Sequence, residues 1–88
     1  MYKIVYRKQA LKDIPKLKAI GISTKVKNLI DIIAENPFQM PPPYEKLIGD
    51  LDGAYSRRIN IQHRLVYQVY EEEKIIKIIS VWSHYENI

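Results

Sequence analysis

Three arginines interrupt a stretch of otherwise ordinary strand residues between Ser56 and Tyr70. Side chains alternate between the two faces of a strand, so Arg58 and Arg64 are expected on the open face of a β-hairpin. Arg57 falls on the apolar face and is expected to escape past the sheet edge. Like charges opposite each other repel unless an anion relieves them. Because a guanidinium offers paired donors and stays charged at physiological pH, one interpretation is a phosphate-binding site.

A structural interpretation of the same two arginines is equally open. Arg58 and Arg64 would then pair with carboxylates of the preceding segment, for which the sequence offers Glu45, Asp50 and Asp52. Such pairs would neutralise the open face without any ligand. The spacing of the residues does not decide between a phosphate and a carboxylate.

Two residues outside the hairpin could transfer protons. His84 follows the last strand, and an ordinary histidine pKa near ~6.5 allows it to donate or accept a proton near neutrality. Glu45 comes soon after the three prolines 41–43, which restrict the backbone before it. Taken alone, a loop glutamate or a histidine near a chain end is usually an inert surface residue. His63 lies in the hairpin turn, where we expect it to be exposed and structural.

The elements that must position these side chains follow from the hydrophobic pattern. Weak alternation predicts a strand over Tyr2–Arg7, and apolar residues at helical spacing predict a helix over Lys8–Ala19. A second helix is expected to begin at a Ser23 or Thr24 cap and to end near Asn36. The two helices should pack antiparallel to each other.

The remainder of the chain is predicted to be one long loop followed by three strands. Prolines and glycines exclude a long regular element from residues 36–54, and loops of this length are often functional. The hairpin of residues 56–70 then leads to a strand over Ile75–Trp82, which is apolar on both faces, as in the middle of a sheet.

Pro15 lies within the first predicted helix and should kink that helix or divide it.

The resulting order βααβββ indicates an α+β fold. Strands that follow a pair of helices favour a small, mostly antiparallel twisted sheet with the helix pair packed on one face. At 88 residues, the chain is expected to form a single domain over residues 1–88.

Composition narrows the class of function. Fourteen Lys and Arg against ten Asp and Glu give a formal charge of +4, which favours encounters with polyanions such as nucleic acid or an acidic protein. The absence of cysteine excludes disulfides and thiolate metal sites. No apolar stretch approaches the roughly 18 residues of a membrane span, and no signal peptide is apparent. A cytoplasmic protein without membrane contact is expected.

Taken together, these residues resemble a known family, the YoeB/Txe branch of the RelE/ParE toxin superfamily, and the likeness covers essentially the whole chain. The most specific positions are Glu45, the turn Leu51-Asp52-Gly53, Tyr55, Ser56-Arg57-Arg58-Ile59, His63-Arg64-Leu65-Val66-Tyr67 and His84-Tyr85. The helices carry little family signal. The sequence departs from the family pattern in the three residues Glu86-Asn87-Ile88, which follow the His-Tyr pair.

The resemblance implies a toxin that cuts messenger RNA in the ribosomal A site by attack of a 2′-hydroxyl on the adjacent phosphate. Glu45 matches the general base, Arg64 the cation that stabilises the phosphorane, and His84 the general acid. Tyr85 matches the residue that positions substrate or imidazole. Arg58 assists at the phosphate, and Arg57 is assigned to substrate binding with it. No metal or other cofactor is implied.

The resemblance also implies partners and leaves rival functions open. The expected partners are an acidic, partly disordered antitoxin, the ribosome and its messenger RNA; operator DNA bound through the antitoxin complex and a homodimer are also compatible. One rival is a toxin like ParE, which acts on DNA gyrase without nuclease residues. The other is a basic RNA-binding module in which the arginines only contact phosphates.

Overall fold

The computed structural model describes residues 1–49 and 53–82. Within these ranges the chain forms seven elements: β1 (Lys3–Tyr6), α1 (Lys8–Ala19), α2 (Ser23–Glu35), β2 (Glu45–Lys46), β3 (Ala54–Arg58), β4 (Arg64–Tyr70) and β5 (Ile75–Ser80). The predicted α+β class is confirmed. The sequence pattern did not reveal β2, which lies inside the proline-rich segment predicted to be a loop.

The five strands form one sheet in the order β1-β5-β4-β3-β2. β1 runs parallel to β5, and the other neighbouring pairs are antiparallel. β5 therefore lies inside the sheet, as its two apolar faces predict. The two-residue strand β2 forms one edge, where it continues the hairpin of β3 and β4.

Both helices are amphipathic. The effect of Pro15 on α1 and the N-cap of α2 differ from the predictions. Pro15 lies within α1, which nevertheless runs as one helix over Lys8–Ala19. Gly21 has a positive φ of 78° and allows a tight connection to α2. Ile22 is the N-cap of α2 and no side chain caps it, so the predicted Ser23 or Thr24 cap is wrong. Because the connection after α1 is short, Ser23 is already the first residue of α2.

The main hydrophobic core lies between the helix pair and one face of the sheet. It combines Ala10, Leu17, Val26, Leu29, Ile33, Ile59, Leu65, Tyr67, Ile76, Ile78 and Val81. The opposite face was expected to be open, but a smaller cluster covers part of it. There Leu47, which directly follows β2, packs against Ala54, Val66 and Ile79. Beside this cluster, Arg58 remains exposed and Arg64 is half-buried.

The hairpin turn covers residues 59–63. β3 ends at Arg58, and the side-chain oxygen of Asn60 accepts hydrogen bonds from the backbone N–H groups of Gln62 and His63 at 2.8 and 2.7 Å. Alternation consequently fails beyond the strand, and Ile61 is 91% exposed. His63, which was expected to be the more exposed of the two histidines, is buried; His84 lies outside the described residues.

No helix in the described part of the chain is long and apolar enough to span a membrane.

Candidate active site

Glu45 reaches the hairpin because β2 adds to the edge of β3. The pairing places Glu45 opposite Ser56, and the backbone N–H of Leu47 donates to the carbonyl of Ala54 at 2.9 Å. Glu45 remains exposed at this edge. A short strand thus holds the loop glutamate on the same surface as the arginines.

Arg58 and Arg64 lie directly opposite each other in the β3–β4 pair. Arg58 is exposed, whereas the side chain of Arg64 is only 18% exposed. A guanidinium N–H of Arg64 donates to the carboxylate of Glu45 at 3.1 Å and makes a longer contact of 3.5 Å with the Ser56 hydroxyl. The carboxylate pairing foreseen for Arg64 is therefore present, and its partner is Glu45; Asp50 and Asp52 lie outside the described residues.

These side chains line a cleft of about 190 Å³ that opens to solvent. Its walls are Pro43, Tyr44, Glu45, Ser56, Arg58 and Arg64. Two guanidinium groups and one carboxylate therefore face the same small volume. Because the 54% exposed side chain of Glu45 leaves its ion pair accessible to water, an incoming anion can compete with the carboxylate for the donors of Arg64.

Arg57 does not escape past the sheet edge; it is fully buried. Its guanidinium donates to the carbonyl of Pro42, to the carbonyl of Pro37 at 3.0 Å and to the hydroxyl of Tyr67 at 3.0 Å. The expected contact of Arg57 with substrate is wrong on physical grounds, because its side chain is inaccessible. Strand alternation correctly predicted the sheet face on which Arg57 lies, but it did not predict that the proline-rich segment covers this side chain.

The interactions of Arg57 hold the segment that leads into Glu45. The guanidinium lies 5.0 Å from the ring centre of Tyr44, the residue before Glu45. Tyr44 also packs edge-on against Tyr55 at 5.7 Å between ring centres. Burial raises the pKa of Tyr67, although the hydrogen bond from Arg57 opposes this shift. The Tyr67 hydroxyl stays protonated and donates to the Pro37 carbonyl at 2.8 Å.

The last described residues leave the sheet beside Arg64. The β4–β5 pair ends at Val66 and Ser80. Beyond this end of the pair, the carbonyl of Trp82 is 2.6 Å from Nδ1 of His63, the residue before Arg64. His84 and Tyr85 lie outside the described residues.

The described cleft combines the fixed positive charge of two arginines with the carboxylate of Glu45, and the buried Ser56 lines its wall. Such a group can bind a phosphate and accept a proton from a neighbouring hydroxyl. No group of three or more His, Cys, Asp or Glu side chains within residues 1–49 and 53–82 is placed to hold a metal ion. Ser56 was not among the residues predicted for the site, although its spacing of two from Arg58 places both on one strand face.

The sequence matches a known protein family and is similar to two of its members. The family model for the YoeB-like toxin of bacterial type II toxin-antitoxin systems matches residues 6–85. A Toxin YoeB of Synechocystis is 40% identical over 62 residues, which are 70% of this chain and 70% of the relative. A Toxin YoeB of Streptomyces coelicolor is 40% identical over 55 residues, and the match spans 62% of this chain and 66% of the relative.

Solved structures with the same fold cover nearly the whole chain. A YoeB/ParE toxin from Agrobacterium tumefaciens superposes with a TM-score of 0.85 at 29% identity, over 94% of this chain and 99% of that one. A YoeB dimer from Staphylococcus aureus gives 0.81 at 36% identity, over 96% and 98%. The heterotetrameric YoeB-YefM toxin-antitoxin complex from the same organism gives 0.80 at 35% identity, over 97% and 99%.

Proposed function

Because the chain belongs to the YoeB-like toxins of bacterial type II toxin-antitoxin systems, we propose that it is an endoribonuclease that cuts messenger RNA in the ribosomal A site. The observation that carries this proposal is the open cleft in which Glu45 lies 3.1 Å from Arg64, with Arg58 on the opposite strand. A carboxylate base and two permanent cations are what an attack on a phosphodiester needs at its reacting oxygens.

In the first step, the scissile phosphate takes the place of Glu45 at the donors of Arg64. The freed carboxylate accepts the proton of the 2′-hydroxyl, and the 2′-oxygen forms a bond to the adjacent phosphorus. Arg64 and Arg58 stabilise the negative charge that accumulates on the nonbridging oxygens of the phosphorane. A fixed guanidinium is suited to this task because it cannot lose its proton.

In the second step, the bond from phosphorus to the 5′-oxygen breaks. The 5′-oxygen takes a proton from His84, which acts as general acid, and Tyr85 positions the substrate or the imidazole. The products are a 2′,3′-cyclic phosphate and a 5′-hydroxyl. The contact of Trp82 with His63, the residue before Arg64, supports a place for His84 at this cleft.

The ribosome positions the messenger in this reaction. The small volume of the described cleft, about 190 Å³, supports alignment of the 2′-hydroxyl with the phosphate by an external template. A ribosome-dependent activity would take place in the bacterial cytoplasm, where messages are translated. The net charge of +4 favours binding to ribosomal RNA.

We further propose an acidic antitoxin as the regulatory partner. The Staphylococcus aureus YoeB-YefM complex, whose toxin chain shares 35% identity with this protein, supports this partner. The YoeB dimer of the same organism supports self-association. Operator DNA would be bound through the antitoxin complex.

Mapping the 5′ ends of messages after brief induction tests the proposal. We expect cuts at a constant position within codons of translated messages, and we expect His84→Ala and Glu45→Ala to abolish them. Inhibition of DNA supercoiling with intact messages would instead favour a ParE-like toxin. Salt-dependent binding to RNA without strand scission would favour a plain RNA-binding module.

A further inference from the structure

His63 is buried in the hairpin turn, and its ring contacts Trp82 in two ways. Nδ1 of the imidazole lies 2.6 Å from the Trp82 carbonyl, and the two rings stack with 4.2 Å between their centres and 27° between their planes. Because a carbonyl only accepts, Nδ1 must carry the hydrogen of this bond. His63 therefore holds both the backbone and the side chain of Trp82.

The hairpin turn fixes His63 in turn. The side chain of Asn60 accepts the His63 backbone N–H at 2.7 Å, and the His63 carbonyl accepts the N–H of Ile59 at 2.9 Å. On the helix side, the ammonium of Lys16 lies 5.6 Å from the centre of the Trp82 ring and pairs with the buried Asp13 at 3.2 Å. Trp82 is thus held by groups from both layers of the fold.

We propose that His63 is a positioning residue for the general acid, and this inference rests on the proposed function. His63 precedes Arg64, which contacts the phosphate, and it holds Trp82, which is two residues before His84. One side chain therefore links the cation of the cleft to the start of the segment that carries the acid. Fixing this start reduces the conformational freedom that His84 must lose before it can protonate the leaving oxygen.

Two substitutions separate the parts of this contact. His63→Phe keeps a ring against Trp82 but removes the Nδ1 donor, whereas His63→Asn keeps a donor near the Nδ1 position and removes the ring. We expect His63→Phe to lower the single-turnover cleavage rate on programmed ribosomes by roughly 10- to 100-fold, with unchanged binding to the ribosome. His63→Asn should recover part of that loss.

A message with sulfur in place of the 5′-bridging oxygen at the cleaved bond distinguishes positioning of the acid from a general structural effect. A thiolate leaves without protonation, so this message bypasses the general acid. We expect it to restore the rates of His84→Ala and His63→Phe to near that of the wild type. Glu45→Gln, which lacks the base, should stay slow on the same message.

Persistence of the His63→Phe defect with the sulfur-containing message would overturn the inference, as would an unchanged rate on the ordinary message. Absence of cleavage by the wild-type protein would instead reject the proposed function. Trp82 is the only tryptophan in the sequence, so its fluorescence anisotropy reports the contact without any activity. Faster indole motion in His63→Phe is expected, and unchanged motion would contradict the proposed contact.

Discussion

Arg64 of β4 donates a 3.1 Å hydrogen bond to Glu45 of β2 across the intervening strand β3. Adjacent strands are about 4.8 Å apart, so two strands on opposite sides of a third are separated by about 10 Å. Only long side chains can meet over that distance. The pair therefore closes one side of the cleft without filling it, and a phosphate that enters can exchange with the carboxylate at the guanidinium.

Replacing Arg64 by lysine should separate the effect of charge from that of geometry. Lysine keeps the positive charge but lacks the planar paired donors, so we expect Arg64→Lys to lower the single-turnover cleavage rate by roughly 10²-fold. Arg7→Lys is the matched control, because Arg7 is exposed at the start of α1 and lies outside the cleft. Equal rates for Arg64→Lys and the wild type would show that charge alone is sufficient.

Replacement of Arg57 should lower the stability of the fold much more than replacement of the neighbouring Arg58. Arg57→Met removes the donors to Pro37, Pro42 and Tyr67, and the buried oxygens then lack their partner. We expect the free energy of unfolding in urea to fall by roughly 2–4 kcal/mol. Arg58→Met, on the exposed face, should change it by less than about 0.5 kcal/mol. Similar losses for both variants would contradict the assigned anchoring role of Arg57.

Arg57→Met should also affect catalysis through the segment that it holds. Because Tyr44 and Glu45 follow the anchored prolines, a surviving folded fraction of the variant should cleave more slowly. The sulfur-containing message should not restore its rate, since the displaced group is the base.

Alkaline pH should destabilise the fold partly through Tyr67. Burial raises the pKa of this fully buried hydroxyl above its ordinary value of 10.0. Above pH 10 the unfolded chain therefore loses the proton first, and the free energy of unfolding falls as pH rises. The Tyr67 contribution is fully present below pH 10. We expect a shallower alkaline decline in Tyr67→Phe, measured by urea unfolding at several pH values; an unchanged decline would contradict this contribution.

The attack of a 2′-hydroxyl makes a specific demand on the substrate. A message with a single 2′-deoxy nucleotide on the 5′ side of the cleaved bond lacks the nucleophile. We expect no cleavage at that bond and unchanged binding of the protein to the programmed ribosome. Cleavage of the deoxy message would require an external nucleophile and would exclude the proposed transesterification.

Local patterns predicted the parts of the site that depend on strand periodicity. Alternation placed Arg58 and Arg64 on one face, and the pairing of β3 with β4 puts them opposite each other. The same rule assigned Arg57 to the apolar face but carried no information about the prolines that bury it. Contacts between residues far apart in sequence, including His63 with Trp82, leave no periodic signal.

The edge strand β2 escaped prediction for a related physical reason. Two residues are too few to show alternation, and the surrounding prolines indicate a loop. The pairing of Glu45 with Ser56 depends on the docking of the segment by Arg57 and by the cluster around Leu47. Recognition of the family supplied Glu45 as a candidate base; the residue pattern alone left its role open.

The most direct test of the proposed chemistry is the single-turnover rate with which wild type and Glu45→Gln cut a defined message on purified ribosomes. Glutamine preserves the size of the side chain but cannot take the proton of the 2′-hydroxyl. We predict that wild type yields a 2′,3′-cyclic phosphate and that Glu45→Gln is slower by about 10²- to 10⁴-fold with unchanged ribosome binding. Equal rates for the two proteins would contradict the assignment of Glu45 as the base.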